Sequence, residues 1–241
     1  MKRPSLAWFL VAALAACSPK PEPTPAETTT APPATAQAEA PVDVPAGAYS
    51  MDPAHTSVLF RIGHMGFSHY TAKFKKATAQ LQFDPNNLAA ASVTVNIDPK
   101  SLETDYPNAA EYDFNAELFG EKVLDAAKYP QITFASTKVE VTGARTLRIH
   151  GDLTLHGVTR PMVLEASFNG GYAGHSMEKN ARVGFSAHGT LNRSEFGITY
   201  GIPQPGSIMG VSDAVEVIVE TEFTGPPWAG APAETPAAAT N

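Results

Sequence analysis

Histidines are the side chains of this sequence best suited to bind a metal ion or to transfer a proton, and the chain has seven of them. His150 and His156 share one parity in a run of alternating residues. On an extended strand six residues span roughly 20 Å, whereas a zinc ion binds its nitrogen ligands at about 2 Å. His64 and His69 are closer, but Gly66 between them leaves their relative orientation open. We therefore expect solvated or hydrogen-bonded histidines and no metal site.

Ser186 lies in a segment, GFSAHG at residues 184–189, that resembles the nucleophile elbow of hydrolases. The elbow requires glycine where His188 stands and a turn from a strand into a helix, whereas this segment alternates like a continuing strand. Ser186 is therefore predicted to be an outward-facing strand serine. His156 is predicted to contact a turn, with its ring bonded to neighbouring backbone. The sequence has no phosphate loop, zinc motif or dinucleotide fingerprint, and we predict no enzyme.

The N-terminus reads as an export signal, with a basic start and an apolar run from Leu6 to Ala16. This run is too short to cross a bilayer of about 30 Å, which needs roughly 20 residues. It ends in LAAC, which resembles the lipobox of bacterial lipoproteins, and Cys17 is the only cysteine. The resemblance implies removal of the signal and lipid attachment to Cys17, and Ser18 after it implies the outer membrane, facing the periplasm. An ordinary cleavable signal is the alternative.

The composition predicts a single folded domain between two loose ends. Residues 18–47 are mainly proline, alanine, threonine and glutamate, and residues 224–241 are again rich in proline and alanine. Such segments cannot bury enough apolar surface to offset the entropy of ordering the backbone. We predict a signal peptide with the lipobox cysteine at residues 1–17, a disordered tether at 18–47, one domain at 48–223 and a disordered tail at 224–241.

The charge distribution argues against nucleic acid as a partner. The formal net charge is −7 and the sequence has no basic stripe, whereas neutralising phosphates requires clustered lysine and arginine. The one dense positive patch consists of Lys73, Lys75 and Lys76. It is predicted to be the solvated face of a strand, or at most a docking rim for an anionic head group.

Alternation of apolar and polar residues with a period of two dominates the body of the chain and predicts β-strands. The apolar sets that share a face are Val58, Phe60, Ile62 and His64; Val93, Val95 and Ile97; Leu147, Ile149, Leu153 and Leu155; and Val215, Val217, Val219 and Phe223. One helical candidate lies between Asn108 and Lys128, where β-branched residues are scarce. One-sided antiparallel sheets indicate a sandwich or a closed barrel, and periodicity alone does not choose between them.

Four segments carry a more specific signal. They read DPAHTSVLFRIGHMG from Asp52, KYPQITFAST from Lys128, GDLTLHGVTRP from Gly151 and NRSEFGI from Asn192. In this order they resemble the YceI family of periplasmic lipid-binding proteins, and the resemblance extends over residues 49–223. It departs from the family at residues 121–124, where EKVL replaces a common aromatic pair, so a differently shaped tunnel mouth is expected. The lipobox and the long tether are further departures, because they are additions to the usual soluble periplasmic form of the family.

The resemblance implies an all-β fold, namely an extended antiparallel eight-stranded lipocalin-like β-barrel with a short helical segment. It also implies an apolar tunnel that binds a polyisoprenoid or an isoprenoid quinone. No cofactor is expected besides this bound lipid. Each candidate lining residue could equally pack in the core; the candidates are Phe60, Ile62, Phe74, Val95, Ile97, Phe134, Leu153, Leu155, Phe185 and Phe196.

The main hypothesis is a protein that carries or sequesters this apolar isoprenoid lipid while attached to a membrane by its N-terminal lipid anchor. A homodimer is possible on the sequence. The first alternative is a structural or stress-related envelope lipoprotein with a filled core and no lipid ligand. The second is an enzyme acting on a prenyl lipid through a polar residue such as His64 or His156.

Overall fold

The computed structural model describes residues 43–229. The predicted signal peptide, Cys17, most of the tether and most of the tail lie outside the described residues. No helix in the described range is long and apolar enough to cross a membrane. The elements are β1 Gly47–Met51, β2 Ser57–His64, β3 Ser68–Phe74, β4 Ala77–Phe83, β5 Ser92–Ile97, β6 Leu102–Glu103, α1 Phe114–Phe119, β7 Ile132–Val141, β8 Thr146–Leu155, β9 Val158–Tyr172, β10 Asn180–Asn192 and β11 Val211–Pro227.

Eight of these strands close an antiparallel barrel in the order β1-β4-β5-β7-β8-β9-β10-β11, and β1 pairs with β11 to complete it. The closing register sets Met51 opposite Phe223. β2, β3 and β6 continue the same wall beyond β1, β4 and β5. The reason is that β1 pairs with the end of β11, at residues 223–224, whereas β2 pairs with its first part, at residues 211–220. The predicted eight-stranded barrel is confirmed, and the sandwich alternative is wrong. Closure leaves fewer unpaired strand edges than a sandwich would.

The barrel has two distinct ends. We call the end where β1 begins and β11 finishes the far end, and the end with the turn between β2 and β3 the mouth. β11 has 17 residues, which at about 3.3 Å per residue gives a wall of roughly 56 Å. Four residues of the predicted tail, 224–227, belong to β11. Glycine at position 225 lets β11 pass close to Tyr49 there, because a side chain at Gly225 would overlap the Tyr49 ring.

Aromatic side chains fill the barrel at the far end. Five of them pack with ring centroids 5.1–6.1 Å apart. We call this set the aromatic plug; its members are Tyr49, Phe83, Phe168, Phe185 and Phe223. The hydroxyl of Tyr49 donates to the carbonyl of Pro45 at 2.6 Å, and burial raises the pKa of Tyr49 to about 12. The plug therefore gives this end a closed, tightly packed floor.

The predicted helix is much shorter in the structure. α1 covers only Phe114–Phe119, where the Asp113 side chain accepts a hydrogen bond from the backbone of Ala116 at 2.9 Å. The backbone N–H of Gly120 bonds to Glu117 and ends the helix. The rest of the predicted range forms turns, with left-handed backbone at Asn108 and Asp125. Local composition favoured helix, but these turns interrupt it.

Three of the four sequence motifs meet at the mouth. His156 and Gly157 form a two-residue turn between β8 and β9 with φ of 52° and 72°. A side chain on Gly157 would overlap the Tyr129 ring. The His156 ring lies 4.7 Å from that ring, and its Nδ1 donates to the carbonyl of Phe196 at 3.0 Å. His156 thus lies in a turn and its ring bonds to backbone, as predicted, but the partner is not a neighbour in the sequence, because it lies 40 residues away.

Candidate ligand-binding cavity

A cavity of about 700 Å³ occupies the barrel between the aromatic plug and the mouth. Every strand of the closed barrel contributes lining residues, and so do β2, β3 and β6. The predicted apolar faces of the strands all point into this cavity. The filled core expected of a purely structural barrel is therefore absent from the described residues.

Nine of the ten predicted tunnel residues line the cavity; they are Phe60, Ile62, Phe74, Val95, Ile97, Phe134, Leu153, Leu155 and Phe185. Phe196 is the exception, and its assignment to the lining was wrong. The chain leaves β10 and turns through residues 193–196, which removes Phe196 from the strand alternation. Its side chain, 2% exposed, packs in the core beside Ile198. Contact between the other nine and a ligand stays a prediction.

The lining is almost entirely apolar. Its interior hydroxyls include those of Thr56 and Thr221, which hydrogen-bond to each other at 2.9 Å. Among the described lining residues, Glu117 and Arg193 are the ones with a formal charge, and both lie toward the mouth. Burying an unpaired polar group of a ligand against such walls costs several kcal/mol. The cavity is therefore suited to an apolar ligand.

Arg193 holds the loop at the mouth in place. Its guanidinium donates to four backbone carbonyls, those of Ile198 at 3.3 Å, Tyr200 at 2.7 Å, Val211 at 2.9 Å and Ser212 at 2.9 Å. Burial lowers the pKa of Arg193, and the charge of Asp213 opposes that shift. Nothing in the sequence pattern predicted this role, although Arg193 lies within the NRSEFGI motif. We call residues 198–212 the rim loop.

Residues 104–131, here the cover segment, occupy the gap in the wall between β6 and β7. Phe114, Leu118 and Leu124 of this segment line the cavity. The segment is attached to the barrel by the Tyr70 hydroxyl, which donates to the carbonyl of Thr104 at 2.8 Å. The EKVL stretch contributes Val123 and Leu124 to the lining. At the point where EKVL replaces the aromatic pair, aliphatic side chains thus line the cavity.

Three acidic or imidazole groups at the far end come close enough to suggest a metal site. Ligand atoms of Asp52, His55 and Glu222 lie within 4.8 Å of one another. Arg182 already places its Nη1 2.5 Å from Asp52 and 3.3 Å from Glu222. Hydrogen bonds from Arg182 and then from His55 hold the pKa of Asp52 well below its usual range. Because a fixed cation neutralises these carboxylates, a metal ion is disfavoured here.

Of the other candidates from the sequence, His64 lines the cavity, whereas Ser186, His150 and the basic patch lie outside it. Ser186 lies within β10, where it donates to Glu220 at 2.6 Å and accepts from Asn169 at 2.9 Å. This is a continuing strand and not a nucleophile elbow. His150 Nε2 lies 3.3 Å from Glu140. The lysines of the basic patch are exposed and do not line the cavity; they are Lys73, Lys75 and Lys76.

Comparison with known proteins assigns the family. Residues 49–223 match the YceI-like domain. A UPF0312 protein of Vibrio cholerae is 36% identical over 169 residues, which cover 70% of this chain and 82% of the relative.

Two solved structures have the same architecture. A YceI protein of Campylobacter jejuni matches with a TM-score of 0.57 and 26% identity, covering 68% of this chain and 90% of that one. A polyisoprenoid binding domain from Saccharophagus degradans matches with a TM-score of 0.50 and 14% identity, covering 74% and 98%. The domain match spans most of the chain, and the Vibrio protein is more than one third identical to it. The chain therefore belongs to the YceI family.

Proposed function

We propose that the protein binds a long apolar lipid, a polyisoprenoid or an isoprenoid quinone, inside the barrel cavity and carries or sequesters it in the bacterial envelope. The observation that carries this proposal is the apolar cavity of about 700 Å³ above the aromatic plug. This volume lies within the range of about 300–1,000 Å³ typical of small-molecule sites. The similarity to a polyisoprenoid binding domain supports the same ligand class.

The energetics favour tight, slowly exchanging binding. Each buried methylene contributes roughly 0.8 kcal/mol, so a long chain quickly reaches the practical ceiling of about 18–21 kcal/mol. Ordering the flexible chain removes part of this gain. Because burial and not charge drives the association, affinity should change little with salt.

The proposal assigns binding without catalysis. The interior hydroxyls of Thr56 and Thr221 bond to each other, and Arg193 is bonded to backbone carbonyls. Neither arrangement offers a nucleophile next to a base. The alternative of a structural lipoprotein predicts a filled core, and the cavity argues against it.

We also propose that Cys17 carries a lipid and anchors the chain at the outer membrane, facing the periplasm. The support is the LAAC sequence and Ser18 after it. Palmitate should label Cys17, and globomycin should block its processing. A Cys17→Ala protein that fractionates like the wild type would remove the anchor from the proposal.

The direct test is native mass spectrometry of protein purified without detergent, followed by solvent extraction of the lipid. We expect a stoichiometric prenyl chain. A matched pair of variants tests the location: Ala187 lines the cavity and His188 is exposed on the opposite face of β10. Ala187→Trp should reduce lipid loading at least about tenfold by occupying the space, whereas His188→Trp should load normally. The proposal would be contradicted by a wild type that is folded, contains no lipid and does not bind added prenyl quinone.

A further inference from the structure

The mouth carries an exposed apolar surface. A role in lining the cavity does not explain this exposure. Its large side chains are Phe67, Tyr200, Ile208 and Met209, which are 75%, 50%, 60% and 63% exposed. They belong to the turn between β2 and β3 and to the rim loop. His64, Tyr200 and Val211 of the same segments line the cavity, so the exposed surface borders its opening. We call residues 64–70 together with the rim loop the apolar rim.

The two parts of the apolar rim form one surface because they are bonded to each other. The backbone N–H of Met65 donates to the carbonyl of Gly210 at 2.8 Å. The backbone N–H of Gly63, just before the turn, donates to the hydroxyl of Ser212 at 3.0 Å. Ile208 packs over Gly66, where an added Cβ would lie 3.2 Å from Ile208 Cδ1. With Arg193 bonded beneath the loop, these exposed side chains are held in place.

The apolar rim also lacks formal charge. Its 22 residues contain no aspartate, glutamate, lysine or arginine. At the 17% charged fraction of the chain about four would be expected, and their absence matters because charged side chains strongly oppose entry into a bilayer. The cover segment on the other side of the mouth has six carboxylates and two lysines. The boundary is marked by Lys122, whose ammonium lies 5.4 Å from the Tyr200 ring.

We propose that the apolar rim docks onto the surface of a lipid bilayer, with its exposed side chains inserted among the head groups and upper acyl chains. The inference rests on the proposed function, since it supplies the route by which a lipid passes between bilayer and cavity without crossing water. Exposed apolar patches of this kind mark interaction surfaces. An uncharged patch with apolar and aromatic side chains suits a membrane interface.

The length of the chain before the barrel makes a bilayer the favoured occupant. β1 begins at the far end, where Gly47 pairs with Phe83, so a short link to an anchor at Cys17 would hold the mouth away from the membrane. The 25 residues between Cys17 and Asp43 can span at most about 85 Å as a covalent chain. This exceeds the roughly 56 Å of the barrel wall estimated from β11. An anchored protein can therefore turn its mouth toward the same bilayer.

Flotation with neutral phosphatidylcholine vesicles tests the proposal. The protein is the chain from Ser18 onward, which contains the whole closed barrel and lacks Cys17, so no anchor contributes. We expect it to float with the vesicles and the Phe67→Asp, Ile208→Asp double variant to bind at least about tenfold more weakly. Met177, 89% exposed in the turn between β9 and β10 at the far end, supplies the matched control: Met177→Asp should float like the wild type.

Tryptophan fluorescence tests the orientation. Trp228, at the far end, is the only tryptophan after residue 17, and brominated lipid should leave its emission unquenched. In a Trp228→Phe background, Phe67→Trp should be quenched and shifted to shorter wavelength. Quenching of Trp228 and not of the tryptophan at position 67 would overturn the proposed orientation.

Two outcomes would overturn docking on a bilayer. One is a wild type that does not bind the vesicles. This outcome includes a wild type whose rim binds a second copy of the chain or another protein instead. The other is a double variant that floats as well as the wild type. Lipid loading from detergent micelles, read by native mass spectrometry, separates this result from the cavity proposal. The double variant should load normally from micelles; an empty wild type that still floats would count against the cavity proposal alone.

Discussion

The far end and the mouth of this barrel use the same strand pattern for opposite purposes. At the far end, Phe83, Phe168 and Phe185 point inward and fill the interior with rings 5.1–5.6 Å apart. Toward the mouth, inward positions such as Val95 and Val217 carry smaller side chains and leave a cavity. The difference teaches that alternation decides which face is apolar, whereas side-chain volume decides whether that face packs or encloses space.

The polar support of the two ends also differs. Outside the plug, Asp52 and Glu222 pair with the cation of Arg182. At the mouth, the cation of Arg193 bonds to the carbonyls of the rim loop. The far end is thus stabilised by opposite charges, and the mouth by a charge bonded to backbone dipoles.

The largest expected effect compares one substitution at the two ends. Phe83→Ala should lower the free energy of unfolding by about 3–5 kcal/mol, because it leaves a void among packed rings. Phe60→Ala should cost less than about half of that, since Phe60 is only partly buried, whereas Phe83 is buried and packs against three other rings. Urea unfolding of both variants measures the difference. Equal losses would mean that the cavity wall is packed as tightly as the plug.

A smaller effect is expected from Arg193→Lys, about 2–4 kcal/mol, because an ammonium cannot reproduce the planar fork that serves four carbonyls. Limited proteolysis should then cut within the rim loop. The control is Arg148→Lys, whose pair with Glu165 at 2.8 Å is solvent-exposed and should contribute little to stability. If both variants behave alike, the loop does not depend on the guanidinium.

The smallest effect should come from Asp52→Asn, about 1–3 kcal/mol near neutral pH. Arg182, and then His55, lowers the pKa of Asp52 in the folded protein. The carboxylate therefore contributes stability above its ordinary pKa near 4, and that stability is lost as the pH falls toward the lowered value. Urea midpoints between pH 7 and pH 2 should converge for the wild type and the variant. A difference that stays constant with pH would exclude this ion pair as its cause.

Local pattern predicted the strands well and the irregular segments poorly. The inward faces of β2, β5, β8 and β11 were predicted because a period of two leaves little freedom once one face is buried. Phe196 was misplaced because the chain leaves the strand one residue before Arg193 and the parity no longer applies. The helix was predicted too long because composition gave no sign of the left-handed turns at Asn108 and Asp125.

The sequence by itself determined the alternating strands, the lack of charge in the apolar rim and, through its motifs, the family. Only the tertiary structure decided that His156 bonds to Phe196, that Arg193 holds the rim loop, and that Met65 is bonded to Gly210 beside the cavity opening. The reason is physical. A strand's two faces follow from local geometry, whereas these contacts join residues far apart in the chain and exist only once the barrel has closed.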